Sequence, residues 1–209
     1  MATKTTTALT AIDWGVAARP FPGQTVSGDA HLVTARAGRV LIAAVDGLGH
    51  GNQAAVAART AVSILKKYAS GSVVSLVQRC HRTLMMTRGV VMTLASIDVP
   101  TGVMTWLGVG NVEGLLLRAD TTAIPSVERV SPHGGLVGYQ MPILRSRKVS
   151  IQKGDLLIFA TDGINGDIVQ DIRRNDPPQQ IAEDVLERHY QGKDDGLVLV
   201  ARYRGAADE

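Results

Sequence analysis

The chain has 209 residues, enough for one well-buried domain and short for two, and its 45% apolar and 20% charged residues exclude a largely disordered chain. Its 22 basic and 19 acidic residues leave a formal charge of +3 without a long run of like charges, and only 4% of residues are aromatic, so nucleic acid is not an expected partner. No apolar run approaches the ~18 residues of a transmembrane segment, the single cysteine cannot close an internal disulfide, and residues 1–10 do not read as a secretory signal; the cytoplasm is the expected compartment.

Val40 to Val45 form a continuous apolar run that stops abruptly at Asp46, the pattern of a strand covered on both faces. From Asn52 to Tyr68 the apolar residues Ala54, Ala58, Val62 and Leu65 recur at helical spacing. Val73, Leu76, Val77, Cys80 and Leu84 repeat the pattern after Gly71, so two consecutive amphipathic helices are expected. Val91 to Ile97 and Val103 to Val109 flank a turn containing Pro100 and Gly102, which predicts an antiparallel pair. Further strands are expected over Gly114–Arg118, Ile143–Ile151, Leu156–Ala160 and Leu197–Tyr203. A helix starting at Asp176 and Pro177 carries Ile181, Val185 and Leu186 on one face. Helices grouped in this way, rather than alternating with every strand, predict an α+β fold with antiparallel sheets. One domain is expected over residues 1–209, with a frayed tail over 205–209.

Four aspartate motifs share a layout in which a turn carrying a carboxylate adjoins an apolar strand. They are Ser27-Gly28-Asp29, Val45-Asp46-Gly47, Ala160-Thr161-Asp162-Gly163 and Asp194-Asp195-Gly196. Any one Asp-Gly reads equally well as an ordinary turn; their joint occurrence points to carboxylates gathered at one sheet edge. Mutual repulsion there raises carboxyl pKa values unless a cation neutralises it. Carboxylate and carbonyl oxygens are hard ligands, which favours Mg²⁺ or Mn²⁺, and no Cys or His set has zinc spacing. Gly47, lacking a side chain, is expected to let its own carbonyl approach an ion held by Asp46.

The ordered set Ser27-Gly28-Asp29, Val45-Asp46-Gly47-Leu48-Gly49-His50-Gly51, Gly110-Asn111, Ala160-Thr161-Asp162-Gly163-Ile164 and Asp194-Asp195 resembles the motifs of PPM-type serine/threonine phosphatases. The likeness spans Val26 to Tyr203 and is nearest to their minimal bacterial branch of SpoIIE-like and RsbX-like stressosome phosphatases, with Arg88-Gly89 as weaker support. The resemblance implies an αββα sandwich with two divalent ions, Mn²⁺ or Mg²⁺. It implies that Asp46 bridges both ions, the Gly47 carbonyl holds one, Asp162 and Asp194 hold the other, and Asp29 hydrogen-bonds water. It further implies direct hydrolysis of phosphoserine or phosphothreonine by metal-activated water, without a phosphoenzyme, on phosphorylated STAS-domain proteins of a stressosome.

The sequence departs from the larger members of that family at three points. Gln24 and Val26 stand where an arginine precedes the first aspartate, Asn111 replaces a third-site aspartate, and there is no room for a flap before Ile164. His50 could donate a proton to a leaving oxygen, but a solvated or helix-capping role is the plainer reading. Asp195 either assists Asp194 or starts the last strand. Cys80 reads as core, and His81, His133 and His189 form no ligand set. Arg19, Arg88 and Arg118 could meet phosphate or form solvated surface, and the glycine-rich turn after Asp46 lacks the Lys-Ser/Thr ending of a P-loop. The competing function is a phosphoprotein-binding module of the same fold that does not hydrolyse its ligand.

Overall fold

The computed structural model describes residues 8–130 and 132–206, so most of the expected frayed tail lies outside the described residues. Strand β3 (Arg39–Gly47) shows why the chain stacks in layers. Its Val40, Ile42 and Ala44 enter a core between two sheets, while Leu41, Ala43 and Val45 face a second core beneath helices. Alternate side chains of a strand point to opposite faces, so an unbroken apolar run results when both faces are covered.

One sheet runs in the order β2 (Asp29–Arg36), β3, β4 (Val90–Asp98), β5 (Val103–Val109) and β8 (Pro132–His133), with β9 (Arg147–Ser150) also paired to β5. The other runs β1 (Ile12–Arg19), β11 (Gly196–Tyr203), β10 (Leu156–Ala160), β6 (Glu113–Leu117) and β7 (Val127–Arg129). Pairing is antiparallel except between β5 and β8. Trp106, Phe159, Ile42 and Leu199 meet between the sheets.

Helices α1 (Asn52–Lys67) and α2 (Val73–Leu84) cover the first sheet, and α3 (Pro178–His189) covers the second. The buried face of α1 is mostly alanine, from Ala54 to Ala61, which lets the helix lie close to the strands. Ser72 caps α2 by accepting a hydrogen bond from the Ser75 N–H at 3.2 Å. Helix α3 begins at Pro178, where a missing N–H costs nothing, and packs Ile181, Val185 and Leu186 on Ile158, Val198 and Val200. These layers form the expected αββα sandwich. Among the described residues, no helix is long and apolar enough to cross a membrane.

Two expectations need correction. Only Arg147–Ser150 of the segment Ile143–Ile151 is a strand: Ile143 is 79% exposed and Leu144 turns to the helix-side core, leaving no paired register for them. Strands β1, β7 and β8 are additional. The pattern of β1 is broken by Gly15, where α3 crosses so closely that a methyl group would lie 2.3 Å from the Gln179 backbone.

Phe159 is fully buried between the sheets. Phe159→Ala is expected to lose about 3–5 kcal/mol in urea denaturation. Met86→Ala, at a side chain 96% exposed, should change stability by less than about 0.5 kcal/mol.

Candidate metal centre

Strand register brings the aspartates to one end of the sandwich. Asp29 opens β2 directly opposite Asp46 near the close of β3, and Val90 opens β4 opposite Gly47. In the facing sheet, Ala160 closes β10 opposite Glu113 at the start of β6, and Gly196 opens β11 opposite Arg19 at the end of β1. The two sheets are joined at this end by the Thr161 hydroxyl, which donates to Asp29 Oδ2 at 2.8 Å while accepting from the Leu197 N–H at 2.8 Å. That double engagement fixes the direction of the hydroxyl proton. Asp162, the next residue, accepts at Oδ2 from the Asn111 amide at 2.8 Å.

Glycine at two of these motifs is required by crossings of the main chain. A methyl group on Gly47 would lie 2.2 Å from the Ala54 carbonyl oxygen in the first turn of α1, and one on Gly163 would lie 2.1 Å from the Asp195 carbonyl oxygen. These contacts dock the turn after Asp46 against α1 and the turn after Asp162 against the start of β11. The sequence-based reason for Gly47, access of its carbonyl to an ion, is thus joined by a packing reason.

The charges at this end are close enough to shift one another. Burial above all, opposed by the Thr161 hydrogen bond and reinforced by Asp195, Asp162 and Asp194, pushes Asp29 up to about 8. Burial, then Asp29, Asp162, Asp194 and Asp195 in turn, push Asp46 up to about 9. Asp162 is raised by burial and by Asp194, against the pull of its Asn111 hydrogen bond. Asp29 Oδ1 is sealed from solvent and, among the described residues, has no hydrogen-bond partner. Such an arrangement favours a proton or a cation on the cluster. Among the described residues no three His, Cys, Asp or Glu side chains close on a common point as a finished ion cage would; the carboxylates meet at the range of charge repulsion, with all-oxygen donors suited to a hard divalent ion.

The sequence-predicted residues divide by what they touch. Asp29, Asp46, Asp162, Asp194 and Asp195 share the cluster of mutually repelling charges. Asp195, only 2% exposed, has both oxygens committed to the loop before β2: Oδ1 accepts from the Phe21 N–H and Oδ2 from the Gly28 N–H, each at 2.8 Å. It clamps backbone through both oxygens. Asp194 Oδ1 accepts from the Asp195 N–H at 2.8 Å. His50 stacks on Phe21 with ring centres 4.7 Å apart. Cys80 is buried in the helix-side core, where burial pushes its thiol up to about 12. Sequence reasoning missed the parts played by Thr161 and Asn111. Thr161 was within a quoted motif, but its partner, Asp29, lies 132 residues away.

The model of the family described as Stage II sporulation protein E (SpoIIE) matches residues 36–204. The chain is 26% identical over 183 residues to phosphoserine phosphatase RsbX of Bacillus subtilis (strain 168), covering 85% of this chain and 87% of that one. It is 31% identical to a solved chain described with the words "The bacterial stressosome: a modular system that has been adapted to control secondary messenger signaling", with a TM-score of 0.83 and coverage of 91% and 99% of the two chains. The crystal structure of RsbX in complex with magnesium has a TM-score of 0.81 at 23% identity, covering 91% of this chain and 94% of that one.

The raised carboxyls set the sign of a pH effect. Between the ordinary carboxylate range near 4 and the folded values of about 8 and 9, the metal-free native state holds protons that the unfolded chain releases. Its stability is therefore fully present at low pH within this window and falls as pH rises. In chelator, the thermal midpoint is expected to drop between about pH 5 and about pH 9, with Mn²⁺ raising it more at the alkaline end. A Mn²⁺-induced increase that is the same at both pH values would contradict this electrostatic picture.

Proposed function

The chain belongs to the family of Stage II sporulation protein E, and on that premise we propose that it is a metal-dependent phosphatase that removes phosphate from phosphoserine or phosphothreonine in bacterial signalling proteins. The observation that carries this reading is the opposition of Asp29 and Asp46 across two paired strands, with Asp162 and Asp194 close enough to raise the Asp46 pKa further. Such a cluster carries a charge-repulsion cost that a pair of divalent cations would remove.

Asp46, the Gly47 carbonyl, Asp162 and Asp194 would hold the two divalent ions, Asp46 serving both. When bound, Mn²⁺ or Mg²⁺ supplies Lewis acidity toward the phosphoryl oxygens and toward the attacking water. The chain's own residues supply position. Asn111 holds the Asp162 carboxylate by Oδ2. Thr161 holds Asp29 by Oδ2 and so fixes the carboxyl at the edge of the cluster. Asp195 pins the Phe21–Gly28 loop, and so the start of β2 on which Asp29 stands.

Similarity to a phosphoserine phosphatase and to a stressosome chain supports a phosphorylated stressosome protein as substrate; STAS-domain proteins are the class that the motif resemblance implies. A hollow of about 420 Å³ beside Asp162, lined by Asn111, Glu113, Arg129 and Asn165, offers polar walls suited to the residues flanking a phosphoserine. Work on such substrates belongs in the cytoplasm.

Phosphate release from p-nitrophenyl phosphate and from a phosphoserine peptide, with Mn²⁺ titrated in, tests this reading. Asp46→Asn and Asp162→Asn are expected to lower the rate by about a hundredfold or more, because ion charge contributes several kcal/mol and each ~1.4 kcal/mol is a decade. Unchanged turnover in both variants would remove these residues from the centre. Tight binding of the phosphopeptide without any release would instead identify a non-catalytic binding module.

A further inference from the structure

Phosphate carries negative charge toward an end of the molecule that already holds five carboxylates, so cationic help beyond the metal ions should be found in the chain itself. Of the arginines that could offer it, Arg19 is paired with Glu187 at 2.8 Å and lies over the Tyr190 ring. Arg118 is tied to Asp155 at 3.0 Å and to Glu128. Arg129, in the hollow beside Asp162, is neutralised by Glu113 and Asp167. Arg88 is different: it is exposed and, among the described residues, makes no hydrogen bond or ion pair.

Its position is fixed by the backbone. Arg88 lies two residues before Val90, which is paired with Gly47, and the Leu48 N–H donates to the Gly89 carbonyl at 3.2 Å. The segment carrying Arg88 is thereby fastened to the turn that follows Asp46. A methyl group on Gly49 would stand 3.0 Å from Arg88 Nη1, and Gly49 has a φ of 79°, a turn that leaves room for the guanidinium. On its other side the Gly49 carbonyl lies 3.2 Å from where a methyl on Gly28 would be, next to Asp29. One glycine thus separates Arg88 from the start of β2.

We propose that Arg88 is the phosphate-gripping residue of this phosphatase, its unpaired guanidinium presenting two N–H groups to the phosphoryl oxygens of the substrate as they meet the aspartate edge. A planar guanidinium suits two oxygens of one phosphate in a way that a lysine ammonium does not. The residue positions substrate and takes no part in bond making. This inference rests on the phosphatase reading and adds to it a side chain beside Gly49, in the turn that follows Asp46.

The test compares wild type, Arg88→Ala and Arg88→Lys with saturating Mn²⁺, using p-nitrophenyl phosphate as substrate and inorganic phosphate as competitive inhibitor. Arg88→Ala is expected to raise KM and the phosphate Ki together by about tenfold, which corresponds to about 1.4 kcal/mol, with kcat within about twofold. Arg88→Lys should recover part of the loss. Mn²⁺ affinity by calorimetry and the thermal midpoint should stay at wild-type values, which a merely structural role would not allow. A wild type that turns over with Mn²⁺ and an Arg88→Ala with unaltered phosphate Ki would overturn the inference alone. A wild type without Mn²⁺-dependent turnover would overturn the phosphatase reading on which it stands.

Discussion

Like charges set in cross-strand register at a sheet edge raise the free energy of the ionised fold, and the pairing of Asp29 with Asp46 is such a case. What holds them there is the pairing of β2 with β3 and the close approach of α1 to Gly47, neither of which can relax without unmaking the sandwich. Burial and neighbouring carboxylates then push both groups toward the protonated form. A divalent ion offers the same neutralisation with chemistry attached. The rest of the site follows from this constraint: Thr161 and Asn111 orient individual oxygens, and Asp195 spends its own charge on the backbone amides of Phe21 and Gly28.

Much of the architecture was legible because its strands are covered on both faces. The runs ending at Asp46 and Ala160 are apolar throughout, since alternate residues serve the inter-sheet core and a helix-side core. The segment Ile143–Ile151 misled for the opposite reason: its apolar residues Ile143 and Leu144 have no strand beside them, so hydrophobicity there does not mean pairing. Strand β1 escaped notice because Gly15 answers to a helix 164 positions later, at Gln179, a demand invisible in local pattern.

The same division runs through the site. Asp46 and Asp162 stood out because each follows closely on an apolar strand run and precedes a glycine, and both the strand end and the glycine have structural causes. Asp194 and Asp195 are adjacent and chemically identical and both raise Asp29 and Asp46, yet Asp195 is also a buried clamp; the positions of the Phe21 and Gly28 amides give it that part. The contact of Thr161 with Asp29 is likewise a product of sheet stacking. Arg88 could be named as a cation from sequence, but its lack of a partner, and its place against Gly49, required the folded chain.

The most direct measurement is a crystal structure grown with Mn²⁺ and located by anomalous scattering. Two peaks are expected at the sandwich edge, both within ligand distance of Asp46 and one of them shared with Asp162. Anomalous density confined to other parts of the surface, with Asp46 and Asp162 left without an ion between them, would contradict the proposed centre.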